Sequence, residues 1–163
     1  PKSISKDDST DLMFIQHALN WLEINENYIP DYILHLRPTQ PTRKVSDIND
    51  CIKIFIKNMK EYDSLRTVSP CQKSPYKMYS IKNNILTPLL VLKNIKESFN
   101  SCRQILPKTY LHNGYIDIYK TSIIRNGLLS GNKIYPYIMD KIEQIDIDTI
   151  EDWKKAEEYI KVN

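Results

Sequence analysis

The chain has 163 residues, 41% of them hydrophobic, with 23 basic and 20 acidic side chains for a net charge of +3. That is enough for one packed domain, and too evenly balanced for nucleic acid to be held by charge alone. No apolar run reaches the length of a membrane span or reads as the core of a secretory leader. Cys51, Cys71 and Cys102 lack any CxxC or Cys/His spacing, so neither a disulfide framework nor a zinc site is indicated and a reducing cytoplasm fits best.

The elements follow in chain order. The first residue is Pro1 and no methionine precedes Met13, so the chain is expected to begin inside a longer protein. Residues 10–23 repeat apolar side chains at Leu12, Ile15, Leu19 and Leu22, widened by Met13 and Ala18, and predict an amphipathic helix. Residues 31–36, DYILHL, predict a strand that ends at the proline-punctuated loop RPTQPTR. Ser46 is expected to cap a helix carrying Ile48, Cys51, Ile52, Phe55, Ile56 and Met59 at the helical period. Helix, strand, loop, helix is the rhythm of an α/β domain.

Residues 64–68 predict another strand, and residues 76–92 two extended runs turning at Asn83-Asn84, as a hairpin or flap. Gly114 opens YIDIY, whose strict alternation predicts a half-buried strand, followed by a short apolar helix or turn near Ile123. Residues 134–139 and 144–148 predict further strands, Pro136 placing the first at an edge or an irregular position. A final helix starts at Thr149, where Thr149 and Asp152 have capping-box spacing, and is expected to bury Ile150, Trp153, Ala156 and Ile160.

Several groups have the chemistry of a site. In a strand, Asp146 and Asp148 share a face, and two carboxylates that close both ionise only with positive charge between them. A Mg²⁺-like ion supplies it, taking one or two carboxylates and filling its other positions with water and phosphate oxygens. Spacing alone equally allows Asp148 to cap the last helix while Asp146 is solvated, and it favours that reading. Arg37 and Arg43 flank a stiff loop directly after a strand, as anion-binding forks or as solvated turn residues. Lys77 in SPYKMY, and Arg103, Gln104 and Asn113 in a proline-bearing polar stretch, mark ordered loops. His17, His35 and His112 have no metal-ligand spacing, and Cys102 beside Arg103 lacks a paired base.

Taken in order, RPTQPTR, the helix beginning SDI, DSLRTV, SPYKMY, CRQILPKTYLHNGYIDI and IDIDTIEDWKKAE resemble the acylneuraminate cytidylyltransferase family, the CMP-sialic acid synthetases and their relatives for similar nonulosonic acids. The resemblance runs over nearly the whole chain and is most specific in IDIDT-x-x-D and RQ-x-LP-x-x-Y-x-x-NG. It implies an α/β, Rossmann-like three-layer nucleotide-diphospho-sugar transferase fold lacking its first strands and triphosphate loop. One truncated domain, 1–163, would include a flap or dimerisation region at 64–119. The implied reaction joins CTP to the anomeric hydroxyl of a nine-carbon 2-keto sugar acid and releases pyrophosphate, in the cytoplasm, in a Mg²⁺-dependent homodimer that touches neither nucleic acid nor membrane. This segment alone is expected to be inactive.

By motif position, Asp146 and Asp148 would hold the metal, and Lys77 and Arg103 would face the sugar carboxylate and the phosphates. Arg37, Gln104 and Asn113 would lie on the substrate side. The chain departs from sialic acid enzymes at Arg37, where they often carry glutamine, and at Gln40 and Thr42, which leaves open which acid is used. Competing expectations are a deoxy-octulosonic acid cytidylyltransferase, a non-catalytic remnant or interaction module of the same fold, and an unrelated α/β binding domain.

Overall fold

The helical periods become helices in a computed structural model that describes residues 1–139 and 145–162. Helix α1, Asp11–Glu26, buries Ile15 and Leu19, one turn apart. Asn27 ends it in the left-handed conformation at φ 49°, returning its N–H to the Leu22 carbonyl. Helix α2, Val45–Asn58, buries Cys51 and Phe55 by the same spacing. Its N-cap is Lys44, and Ser46 falls inside the first turn. The Lys44 N–H donates to the Tyr115 hydroxyl at 2.8 Å, so a distant side chain satisfies the helix start where a serine was expected.

Strands β1 (Tyr32–His35), β2 (Ser64–Pro70), β3 (Tyr79–Lys82), β4 (Ile85–Pro88), β5 (Tyr110–Lys120) and β6 (Ile134–Ile138) form two sheets. The main one has the order β1-β5-β2-β6. β5 runs antiparallel to β1 and β2, and β2 runs parallel to β6. The carboxyl ends of β1, β2 and β6 therefore gather with the start of β5 at one end of the sheet. β6 lies at an edge, the position that accommodates Pro136.

Helix α2 covers one face through Leu65, Tyr115, Ile116 and Ile118. Helix α1 covers the other together with Ile124 of the short helix α3, Thr121–Arg125, both packed around Tyr119. The result is a three-layer α/β fold with a mixed sheet, compatible with a Rossmann-like architecture. Because both faces are covered, residues 115–119 are all buried rather than half-buried, and the aspartate in that run turns inward.

β3 and β4 pair with each other, joined by Asn83 and Asn84 at φ 51° and 61°, the mirror-image turn that asparagine tolerates. Of residues 64–119, the ends belong to β2 and β5 in the main sheet, so the part that leaves it is narrower, 71–109. Within the expected strand 144–148, Gln144 lies outside the described residues, and 145–148 carry no strand. One bond, from the Ile147 N–H to the Thr39 carbonyl at 2.9 Å, ties that segment to the proline loop.

Helix α4, Ile150–Val162, opens on the expected box. The Thr149 N–H donates to Asp152 Oδ2 at 3.2 Å and the Asp152 N–H to Thr149 Oγ1 at 3.2 Å. Its buried face is not the expected one. Ala156 is buried, but Ile150, Trp153 and Ile160 are 76%, 56% and 55% exposed, because α4 turns Asp152, Ala156 and Tyr159 inward.

Candidate functional site

Open α/β sheets collect ligands beyond the carboxyl ends of their strands. Each site residue expected from the sequence falls near that end: Arg37 after β1, Lys77 after β2, Arg103 and Gln104 before β5, Asn113 in its first turns, and the aspartate pair after β6.

Arg37 is held between two carboxylates. Its Nη1 donates to Asp117 Oδ2 and its Nη2 to Asp11 Oδ2, each at 2.7 Å. Asp117, in mid-β5, has no exposed surface. It also accepts from Arg66 Nε at 3.0 Å, and His112 Nε2 stands 3.2 and 3.1 Å from its two oxygens. Burial works to raise the Asp117 pKa, but the hydrogen bonds from His112 and Arg37 and the nearby positive charge outweigh it and hold the carboxyl well below the usual range. Arg66 is fixed in turn by Ser130, whose hydroxyl accepts from Nη2 at 2.8 Å. His35, edge-on to Phe14, has its pKa lowered by burial and then by the Arg37 charge.

Arg43 locks the RPTQPTR loop from inside. Its Nε donates to the Tyr115 carbonyl, and its Nη1 and Nη2 to the carbonyls of Gln40 and Arg37, both at 2.6 Å. Gln40, 2% exposed, donates to the Asn113 carbonyl at 3.2 Å. Asn113 Oδ1 accepts from Thr67 Oγ1 at 2.6 Å and from the Tyr115 N–H at 3.1 Å, while its Nδ2 donates to Ser69 Oγ at 2.9 Å. These bonds span the register shift between Arg66 and Val68, where Gly114 adopts φ 68°. Arg37 and Asn113 are thus neighbours around one bulge, with the Asn113 amide engaged in holding it.

Lys77 and Arg103 come together on a cleft of about 470 Å³ with Gln72, Lys73, Ser74 and Met78. Arg103 and Ser74 also line an adjoining cleft of about 380 Å³ that reaches Lys108 and Tyr110. Gln104 is exposed on the same short 3₁₀ turn as Arg103, outside the lining of either cleft.

Asp146 and Asp148 are exposed and alternate with Ile145 and Ile147, which are half-buried. Thr149 caps α4, which leaves Asp148 out of that duty. The charge of Asp146 acts on Arg43, placing this segment beside the proline loop. Two exposed hard oxygen donors next to a ligand-collecting sheet edge suit a divalent cation of the Mg²⁺ kind. Among the described residues no group of three or more His, Cys, Asp or Glu side chains is arranged to hold a metal.

With this geometry in view, the chain can be set beside known proteins. It is similar to a flagellin modification protein. Over 133 residues, 80% of the chain, it is 29% identical to post-translational flagellin modification protein B of Campylobacter coli. The chain spans 53% of that relative's length. No protein-family model matches it.

The sequence does not single out Asp117, Arg66 or Ser74, and it sets His112 aside for want of metal-ligand spacing. The signal for two of them was present: a charge inside an apolar strand demands a partner, and Arg66 and Asp117, facing each other in register on β2 and β5, supply it for one another.

Proposed function

We propose that this chain is the sugar-side part of a Mg²⁺-dependent cytidylyltransferase that transfers CMP from CTP to a nine-carbon 2-keto sugar acid of the sialic, legionaminic or pseudaminic type, releasing pyrophosphate. The observation that carries the reading is the placement, at one end of the sheet, of an exposed aspartate pair and a cleft holding Lys77 and Arg103. The resemblance in RQ-x-LP-x-x-Y-x-x-NG and IDIDT supports it. Similarity to a flagellin modification protein is in keeping with an enzyme of a modification route, and the chain spans 53% of that relative's length.

The reaction is an in-line attack of the anomeric hydroxyl on the α-phosphate, so the protein's work is alignment and neutralisation of charge. Lys77 and Arg103 offset the acid carboxylate and the phosphates. Arg37, Gln104 and Asn113 bound the acceptor, Arg37 in an orientation fixed by Asp117 and Asp11. Asp146 and Asp148 hold the Mg²⁺. When bound, the ion screens the phosphate charge and orients the group being transferred. We assign the working form to a cytoplasmic homodimer, with residues 71–109 reaching toward the neighbouring subunit, and expect this chain by itself not to turn over.

The test is pyrophosphate release from CTP by the full-length protein across a panel of nonulosonic acids. One acid should support turnover, and Asp148→Asn should lower Mg²⁺-dependent turnover by about 10²-fold or more while leaving the thermal midpoint in place. Unchanged turnover in that variant sinks the metal assignment. Silence across the whole panel sinks the cytidylyltransferase reading in favour of an interaction module.

A further inference from the structure

We propose that Ser74 is a ligand-binding residue, its hydroxyl donating to an oxyanion, carboxylate or phosphate, that Lys73, Lys77 and Arg103 surround. The proposal rests on the reading above for the identity of the ligand, but not for the existence of the site.

Ser74 is 9% exposed, and its hydroxyl oxygen has no hydrogen-bond partner among the described residues. A buried polar group left unpaired is costly, which makes it a marker of something missing. The nearest local groups are absent or engaged. Ser74 stands just before the 3₁₀ turn Pro75–Lys77 and makes no cap bond with its side chain. Pro75 has no N–H to offer. The Lys77 N–H is already taken by the Ser74 carbonyl at 3.0 Å. The nearby Cys71 thiol is directed at the Lys73 carbonyl, 2.9 Å away.

The surroundings specify the ligand. Ser74 and Arg103 line both adjoining clefts, so Ser74 sits on the wall they share. Lys73, Lys77 and Arg103 line the larger, Lys108 the smaller, and among the described residues no acidic side chain lines either. A hydroxyl among cations with no counter-charge is suited to an anionic oxygen, because a charge-assisted O–H···O⁻ bond is shorter and stronger than a neutral one. Had residue 74 only a packing duty, alanine would serve it without leaving an unpaired oxygen.

The experiment titrates the 163-residue chain with inorganic phosphate and, separately, with pyruvate as a 2-keto carboxylate, following backbone amide shifts of residues 71–78 and 103–110. At least one anion should shift them saturably. Ser74→Ala should weaken that binding about tenfold, Ser74→Thr should restore it, and Arg103→Gln should weaken it at least as much. Without ligand, Ser74→Ala should melt no lower than the parent, since an unpaired hydroxyl is all it loses. Binding unchanged in Ser74→Ala, or no saturable shift with either anion, overturns the proposal. A pyruvate response places the cleft on the acceptor acid and a phosphate response places it on the nucleotide. Either response, in a full-length protein that releases no pyrophosphate, leaves the oxyanion site standing and removes the cytidylyltransferase reading.

Discussion

Asp117 lies at the centre of an apolar strand with no exposed surface, and Arg37, Arg66 and His112 converge on it from the loop after β1, from β2 and from the start of β5. Its folded-state pKa is depressed, so it contributes stability above its unfolded value of about 3.9, stability that is lost as pH falls through the folded value. His35 has the same sign for a different reason: burial favours its neutral form, so below about pH 6.5 the unfolded chain takes up a proton that the folded chain resists. Urea midpoints measured from pH 7.5 to 3 should therefore fall in two stages. His35→Asn should flatten the first. Asp117→Asn, itself less stable at neutral pH by about 3–5 kcal/mol because Arg66 loses the carboxylate it donates to and Arg37 one of its two, should flatten the second. A midpoint constant between pH 7.5 and about 5 would remove the His35 assignment, and one constant between about pH 4.5 and 3 would remove the Asp117 assignment. The sequence displayed Asp117 in its alternating run, but its two arginine partners lie far along the chain, and the register of β5 against β2 is what sets Arg66 opposite it.

At the scale of elements, what depends on neighbouring residues was legible, and what depends on a distant surface was not. The Asn83-Asn84 turn needs only two residues that tolerate positive φ, and the sequence displays them side by side. The box at Thr149 and Asp152 is equally local. By contrast, α4 has two stripes, one with Ile150, Trp153 and Ile160 and one with Ala156 and Tyr159, and periodicity cannot choose which meets the sheet. The alternation in 145–148 likewise reads as a strand, although pairing also requires a neighbouring edge. Since α4 is anchored through a narrow face with Ala156 as its buried residue, its start should depend on the cap more than is usual. Thr149→Ala should cost about 1 kcal/mol and speed amide exchange across the first turn of α4 while leaving α1 and α2 protected. Unaltered exchange there would mean that packing, not capping, holds the helix start.

On the scale of the whole molecule, the order β1-β5-β2-β6 interleaves strands from distant parts of the chain, so hydropathy alone could not supply it; the resemblance implied the fold class. The same order leaves residues 71–109 outside the main sheet with much apolar surface uncovered. On β3 and β4, Ile81, Ile85 and Leu86 are 75%, 65% and 58% exposed, and Leu89, Leu90 and Val91 continue the patch. A two-stranded hairpin is marginal in water without an apolar face against something else, and Ile81 with Leu86 gives it such a face. The proposed homodimer covers it with a second copy. Ile81 and Leu86 are cross-strand partners on one face, so a lysine at each puts like charges into the contact while leaving the main sheet intact. Sedimentation velocity at tens of micromolar should show a dimer for the parent chain and a monomer for Ile81→Lys/Leu86→Lys, with unchanged far-ultraviolet circular dichroism. A parent chain that stays monomeric across that range, or a double variant that still dimerises, would take the interface away from the hairpin.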